Sequence, residues 1–403
     1  MRIGVPSETK TLEGRVALVP AACADLIRHG HEVYLQSGAG EKSGFANERY
    51  TRVGVKIVKD AAALYGKAEL IVKVKEPIEG DLKLLEKRHL LFCYLHLAAE
   101  PKLTRQLLKI GLTGVAFESV QEHDGSLPLL TPMSVVAGKL AAQVGTTLLH
   151  QPNGGKGKLL GGLAATERGK VVVLGAGVAG GNAAKLAARG GSNVVVFDKR
   201  PDRLAQARGW GDNVTALYAY ESAVAEEVAT ADLVVGAVLV PSAKAPHVVT
   251  RKMVKTMEKG SVMVDISIDQ GGCFETSKPT TWKDPTYVVD GVTHFCVTNM
   301  PGAVPQTSTQ AISAAILPYV LRLAQKNWRK DTVLASGINI DGGKLVHPAL
   351  KGMKLREGPE QPAALTCHTH VQRGGAATGP SLNALAHPMA GIGHGLAIRG
   401  TAL

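Results

Sequence analysis

Val171-Val172-Val173-Leu174-Gly175-Ala176-Gly177-Val178-Ala179-Gly180 decides the fold of this chain. A short, wholly apolar strand empties directly into glycines spaced G-x-G-x-x-G. Gly175 permits the tight turn, Gly177 lets a pyrophosphate approach the backbone, and Gly180 lets the following helix pack against the strand. The phosphates would rest on N–H groups at the N-terminus of that helix. A lone G-x-G-x-x-G carries little weight, but a second strand, Asn193-Val194-Val195-Val196-Phe197, ends in Asp198. That is close to the spacing at which a carboxylate grips a ribose diol. Together the two signals predict a Rossmann-type dinucleotide-binding unit. Asp198 would accept hydrogen bonds from free 2′- and 3′-hydroxyls and repel a 2′-phosphate, so NAD is expected over NADP. Lys199 and Arg200 follow at once and are the residues that could instead welcome a phosphate.

On the N-terminal side, strand-like pieces at Arg2 to Val5, His31 to Gln36, Leu70 to Val74 and His89 to Leu95 alternate with helical ones such as Ala21 to His29. This is the βαβ rhythm of a parallel sheet. A helical stretch from Met133 to Leu149 leads into Gly154-Gly155-Lys156-Gly157-Lys158, which reads as a flexible, hinge-like patch. Further strands are expected at Asp232 to Val240 and Ser261 to Ile266. Ser308 to Trp328 carries apolar residues at helical spacing and would return to pack on the first lobe. The expected fold class is α/β and two-lobed: a Rossmann-type NAD-binding domain over 131–303, and a discontinuous α/β substrate domain over 1–130 and 304–346. The stretch 347–403, with nine glycines, five prolines and five of the 13 histidines, has little periodicity and reads as irregular or disordered.

A chain of 403 residues, 45% hydrophobic and 20% charged, can build two full cores without staples. The formal net charge of +12 could signal nucleic acid, yet the basic residues alternate with acids and no basic-aromatic array occurs. Attraction for anionic small molecules is the expected use, and no nucleic-acid partner. The five cysteines are odd in number and scattered with no C-x-x-C pair, which points to a reducing cytoplasm and to neither a disulfide framework nor a zinc site. No metal is expected; the histidines of the last stretch lie in no ligand-like spacing. The chain begins as a strand at Met1-Arg2-Ile3-Gly4-Val5 and carries no apolar run of membrane length, so neither secretion nor a membrane partner is expected.

Several polar residues sit where strands run out. Val72-Lys73-Val74-Lys75-Glu76-Pro77 sets Lys75 at the end of a buried-looking strand, either aimed from the sheet edge into a cleft or snorkelling to the surface. Phe92-Cys93-Tyr94-Leu95-His96-Leu97 sets one histidine in an apolar run, where a core histidine is the ordinary outcome. Val264-Asp265-Ile266-Ser267-Ile268-Asp269-Gln270-Gly271-Gly272 puts Asp269 at the carboxyl end of a strand, where open α/β sheets bind ligands. By local chemistry Asp269 is equally an acid/base or a turn former, and Asn299 shares that ambiguity.

Taken together these segments resemble the alanine dehydrogenases, a family related to the nucleotide-binding subunit of proton-translocating transhydrogenases. The resemblance runs from Met1 to about His347. It is carried by Gly4-Val5-Pro6 with Glu8-Thr9-Lys10, Arg15-Val16-Ala17, Gly38-Ala39-Gly40-Glu41, Lys73-Val74-Lys75-Glu76-Pro77 and Leu95-His96-Leu97-Ala98-Ala99, then by Pro132-Met133-Ser134, Gly236-Ala237-Val238-Leu239-Val240-Pro241, Asp269-Gln270-Gly271-Gly272 and Asn299-Met300-Pro301. The resemblance implies reversible, NAD-dependent oxidative deamination of L-alanine to pyruvate and ammonium in the cytoplasm. It implies that Arg15 and Lys75 hold the substrate carboxylate and carbonyl oxygen, and that His96 and Asp269 are the acid/base pair. Cofactor contacts would come from Ser134, Gly175, Gly177, Val178, Ala179, Gly180, Asp198, Arg203, Val238, Leu239, Ile266, Ser267, Ile268, Asp269, Val297, Thr298, Asn299 and Met300, with Lys278 on a phosphate. A homohexamer whose lobes close over the substrate is also implied.

The chain departs from the family pattern at Ser134-Val135-Val136, where Ser-Glu-Val is commoner, at Ala219, where some relatives place a serine, and at Pro241-Ser242, where Pro-Gly is commoner. Two rival readings share the two-lobe plan: the NAD-binding subunit of a transhydrogenase, and an opine- or saccharopine-type dehydrogenase. The joint presence of Arg15, Lys75, His96 and Asp269 speaks against the first, and the fit to Lys-Val-Lys-Glu-Pro and Leu-His-Leu-Ala-Ala against the second.

Overall fold

The computed structural model describes residues 1–238 and 245–353. Leu239, the Pro241-Ser242 pair and the Gly/Pro/His-rich segment from residue 354 onward lie outside the described residues. The first six strands, β1 (Arg2–Val5), β2 (Glu32–Gln36), β3 (Lys56–Val58), β4 (Leu70–Val72), β5 (Leu90–Cys93) and β6 (Thr113–Ala116), run parallel in one sheet. β4 and β5 are apolar at every position and buried on both faces, as strands of a helix-covered parallel sheet must be. A second sheet follows, of β7 (Lys170–Leu174), β8 (Asn193–Asp198), β9 (Val214–Tyr218), β10 (Leu233–Gly236), β11 (Val262–Asp265), β12 (Thr286–Val289) and β13 (Val292–Phe295). Its order is β12-β13-β11-β10-β7-β8-β9, with β12 antiparallel at the edge.

The chain then returns to the first sheet. β14 (Ile338–Asp341) pairs antiparallel with β6, and β15 (Lys344–Leu345) pairs with β14, completing the order β15-β14-β6-β5-β4-β1-β2-β3. The helix Pro305–Leu323 makes the same return. Its Ile312, Ile316, Val320 and Leu323 share a core cluster with Val5, Leu18, Val72 and Phe92. The first lobe is therefore discontinuous in sequence.

Both sheets have a switch point where strand order reverses, at β1/β4 in the first and β7/β10 in the second. Ligands of doubly wound sheets bind beyond the carboxyl ends of strands at such points. Arg15, Lys75 and the Gly175–Val178 turn lie on the segments that leave those strands, whereas His96, Asp198, Asp269 and Asn299 lie at or beyond the carboxyl ends of other strands of the two sheets.

Within the second lobe the helix Thr131–Leu148 packs on the helix Val178–Arg189 at Gly138. A Cβ on Gly138 would lie 2.1 Å from the Ala179 carbonyl oxygen, so only hydrogen fits between the two backbones. Three expectations need correction. The Gly154–Lys158 patch is anchored, not hinge-like: Lys156 Nζ pairs with Asp232 at 2.5 Å and Glu258 at 2.7 Å, and its N–H donates to Gly260. Burial disfavours the charge on Lys156, but the two carboxylates outweigh it and raise its pKa. β4 lies inside its sheet, between β1 and β5, so Lys75 leaves at a carboxyl end, not at a lateral edge. Packed chain also continues past 347, where composition places the start of an irregular segment: Pro348–Leu350 forms a 3₁₀ turn and buries Leu350 in the first lobe.

Cys23, Cys93, Cys273 and Cys296 are buried free thiols. Among the described residues no helix is long and apolar enough to cross a membrane, and no group of His, Cys, Asp and Glu is arranged to hold a metal.

Candidate functional site

Arg15 lies in the loop after β1 and is 2% exposed. Its Nε donates to Glu13 Oε1 at 2.7 Å, its Nη2 to Glu13 Oε2 and, at 2.7 Å, to Asn299 Oδ1, and its Nη1 to the Met133 sulfur at 3.1 Å. Burial alone would raise the Glu13 carboxyl. The Arg15 guanidinium and the Asn299 amide outweigh it and hold the pKa at about 2, so the pair is ionic at working pH. The loop is pinned from outside by the returning helix: Val16 N–H donates to Thr309 Oγ1 at 3.1 Å and Val19 N–H to Ser313 Oγ at 3.0 Å.

Lys75 follows β4 and is nearly buried, with Nζ 3.6 Å from Glu76. It does not snorkel. Glu8 accepts the N–H groups of Val74 at 2.7 Å and Lys75 at 3.4 Å, tying the segments after β1 and β4 together. Beneath them the fully buried Lys73 sits between Glu8 (3.5 Å) and Asp81 (3.3 Å). Desolvation opposes its charge, but the two carboxylates keep it protonated.

His96 follows β5 and is not a core histidine; its side chain is 42% exposed. Its backbone is left-handed, φ +48°, and Glu118 over-determines that conformation by accepting the N–H groups of Leu95 (3.2 Å) and His96 (2.6 Å). Its Nδ1 lies 3.9 Å from Glu118, and the ring stacks on Tyr94 at 5.6 Å, 4° from parallel. Tyr94 is buried, donates to the Leu129 carbonyl at 2.6 Å, and feels the charge of Arg15. Burial raises its pKa, so its hydroxyl stays protonated.

In the second lobe Gly175 has φ +103° and Gly180 abuts it: a Cβ on Gly180 would lie 1.8 Å from the Gly175 carbonyl oxygen. Gly177 faces open space, its absent Cβ meeting only Arg203 Nη1 at 3.7 Å. Helix geometry leaves the N–H groups of Val178, Ala179 and Gly180 without an intrahelical acceptor. That open, N–H-lined turn fits a dinucleotide pyrophosphate. Asp198 ends β8; its Oδ2 accepts Ala176 N–H at 2.8 Å, its Oδ1 accepts Arg200 N–H at 2.9 Å, and Arg203 stands 3.6 Å away. Arg200 is occupied by Asp202, at 2.6 Å.

Past β11 the segment Ile266–Gln270 forms a 3₁₀ turn that leaves Asp269 exposed. Buried Asp265 cinches it, accepting the N–H groups of Ser267 (2.9 Å) and Cys273 (2.8 Å), while Ser267 Oγ donates to the Val238 carbonyl at 2.9 Å. Past β13, Val297 and Met300 are buried, Thr298 N–H donates to the Thr280 carbonyl, and Asn299 adopts φ +57°. Asn299 N–H points at Asp269 Oδ2, 3.4 Å away. Ser134 lies half-buried in the first turn of the Thr131–Leu148 helix, and Val135, at a departure from the family pattern, is half-buried beside it. Lys278 is exposed beyond the Gly271-Gly272 turn.

Asn299 thus joins Arg15 of one lobe to Asp269 of the other, and His96 stacks on Tyr94. The charge of Arg15 acts on Tyr94 and that of Glu8, which also accepts the Lys75 N–H, on Arg15. Glu13, Glu118 and Tyr94 belong to this cluster although no spacing rule singles them out; the only signal for Glu118 is its place at the end of β6. An open hollow of about 670 Å³ lies elsewhere, between Lys10, Glu76 and Lys109, and none of the four candidate catalytic and substrate residues lines it.

Residues 4–137 match the family described as alanine dehydrogenase/PNT, N-terminal domain, and residues 141–348 match alanine dehydrogenase/PNT, C-terminal domain. The chain is 48% identical over 355 residues to an alanine dehydrogenase of Mycolicibacterium smegmatis, an alignment covering 87% of this chain and 96% of the relative. It is 47% identical over 356 residues to an alanine dehydrogenase of Bacillus subtilis, covering 87% and 94%. A solved L-alanine dehydrogenase superposes with a TM-score of 0.84 at 46% identity, over 87% of this chain and 98% of that one. A solved transhydrogenase from Sinorhizobium meliloti, 24% identical over 87% of this chain and 100% of its own, shares the fold with a TM-score of 0.76.

Proposed function

The chain belongs to the alanine dehydrogenase/PNT family, and from that premise we propose that it catalyses the reversible, NAD-dependent oxidative deamination of L-alanine to pyruvate and ammonium. The observation that carries this reading is the meeting of Arg15, Asn299 and Asp269 across the lobes, with His96 stacked on the tyrosine beside Arg15. In this reading 1–130 and 304–346 hold the substrate and 131–303 holds the dinucleotide.

Both the amino acid and its oxo acid are small and carry a carboxylate, and the oxo acid adds a carbonyl oxygen. A buried guanidinium and a nearly buried ammonium, Arg15 and Lys75, suit its carboxylate and carbonyl oxygen, because charge-assisted hydrogen bonds strengthen away from water. Holding both oxygens turns the Cα hydrogen in one direction. The dinucleotide would rest on the N–H groups of 178–180, with its ribose diol on Asp198 and its nicotinamide end near 266–269 and 297–300. When bound, it supplies the hydride acceptor or donor. Deamination also requires a proton to leave the amine, water to add to the imine carbon, and ammonia to depart. His96 and Asp269, each exposed beyond the carboxyl end of a strand, are suited to carry those protons. Glu118, 3.9 Å from Nδ1, would orient the His96 ring. The buried thiols fit a reducing cytoplasm. A homohexamer follows from the family resemblance and is tested by light scattering.

The test is absorbance at the reduced-nicotinamide band with purified protein. Turnover of alanine with NAD, and of pyruvate plus ammonium with NADH, is expected. Silence in both directions with NADH still bound would replace this reading with that of a nucleotide-binding component.

A further inference from the structure

Resting on that reading and deepening it, we propose that Glu13 is a positioning residue of the site. Its carboxylate aims the Arg15 guanidinium at the substrate carboxylate and ties that aim to Asn299 of the opposite lobe. A guanidinium offers five N–H donors in a rigid fork, so fixing one edge fixes where the others point. Glu13 takes one edge side-on through Nε and Nη2, and Asn299 Oδ1 takes a further contact from Nη2. What remains is Nη1, whose hydrogen-bond partner among the described residues is the thioether of Met133 at 3.1 Å, a weak acceptor that a carboxylate oxygen readily displaces. The arginine therefore presents one satisfied edge and one poorly satisfied edge, and Glu13 decides which is which.

Glu13 is itself held. Its Oε1 also accepts the Arg15 backbone N–H at 3.0 Å, and its Oε2 accepts Asn299 Nδ2 at 2.9 Å. Both ends of the contact are fastened to one element, since the helix Pro305–Leu323 begins just after Asn299 and grips the Arg15 loop through Thr309 and Ser313. Ser43 reinforces the grip, with Oγ donating to the Gly14 carbonyl at 2.7 Å and lying 2.8 Å from Thr309 Oγ1. Asn299 in turn aims its N–H at Asp269, so the carboxylate that orients Arg15 shares a register with the proposed proton carrier.

The test is steady-state kinetics of the full chain and its E13Q and E13D variants with pyruvate, ammonium and NADH, alongside NADH affinity by fluorescence titration and the thermal transition. In E13Q the pyruvate KM should rise tenfold or more, while kcat falls less than threefold and the NADH Kd stays within about twofold. E13D keeps the charge but is one methylene too short to reach both Arg15 and Asn299, so its pyruvate KM should also rise, by less, and it decides the matter if E13Q does not fold. An unchanged pyruvate KM in folded variants overturns the proposal. So does a joint fall of kcat, NADH affinity and thermal transition with no selective change in pyruvate KM, which would make Glu13 a fold residue only. Inactivity of the unmutated chain overturns the reading beneath it, an outcome distinct from both.

Discussion

Asp198 holds two backbone N–H groups with its two oxygens, so it cannot rotate aside for a 2′-phosphate. Replacing it by serine removes the negative charge, and the ratio of kcat/KM with NADP to that with NAD should then rise at least tenfold; an unchanged ratio would mean that Asp198 does not read the ribose. His96→Ala and Asp269→Ala should each lower kcat by about a hundredfold or more, while NADH still binds, because the proposed role of both is to carry protons and neither lies in the Gly175–Gly180 turn. Near-normal turnover in either variant would remove that residue from the proton path. Glu13 makes a prediction in pH. The Arg15 guanidinium and the Asn299 amide hold its carboxyl down to about 2 in the folded chain, well below the ordinary glutamate range. A depressed carboxyl stabilises the fold above its unfolded pKa and loses that stabilisation as pH falls towards its folded one. Linkage over that gap amounts to about 3 kcal/mol. Between pH 5 and 3 the thermal transition of the unmutated chain should therefore fall more steeply than that of E13Q, and parallel curves would sink the assignment.

The packing of two helices depends on hydrogens standing where methyl groups cannot. At Gly138 and Gly180 the nearest atom to an added Cβ is a backbone carbonyl oxygen, which no rotamer change can move. Gly138→Ala should cost about 1–3 kcal/mol by forcing the Thr131–Leu148 and Val178–Arg189 helices apart, read as a lowered thermal transition. Gly180→Ala should in addition weaken NADH binding more than tenfold, since it displaces the turn proposed to receive the phosphates. Gly66 is the control. It lies in the helix Ala61–Lys67 with nothing within 4 Å of an added Cβ, so Gly66→Ala should be neutral or slightly stabilising. A thermal penalty at Gly66 as large as at Gly138 would show that steric contact is not what distinguishes them.

Across the whole molecule, the glycine-rich patch that composition suggested as a hinge is anchored by charge within the second lobe. Lys156 neutralises Asp232, which is 3% exposed and also holds Lys170 N–H at 2.6 Å. Lys158 stands at 3.5 Å as a partial substitute. Lys156→Ala should therefore destabilise by about 1–3 kcal/mol, less than a fully orphaned buried charge would. A chain ending at Met353 retains Leu350 and both matched family domains. Its alanine turnover should stay within twofold of the full chain, and a larger loss would assign the remaining residues a part in the site.

The G-x-G-x-x-G turn, Asp198 and the strands feeding them were readable in the chain because their demands are local. The steric need for glycine and the two-strand spacing fall within 30 consecutive residues. The short strands β3, β6, β9 and β14 were not readable, since three to five residues of mixed character carry no period until a neighbouring strand supplies their hydrogen bonds. Lys75, His96 and Asp269 could be named only through resemblance; taken alone, each had an ordinary structural alternative. The tertiary structure brought Glu13 and Asn299 together from opposite ends of the chain, set Glu118 under His96, and turned a glycine-rich patch into an anchor. Those outcomes depend on through-space charge pairing in a dry interior, where a carboxylate must find its partner wherever the fold has placed it. Sequence determined the nucleotide turn and the alternating α/β plan; folding decided which side chains face one another across the lobes.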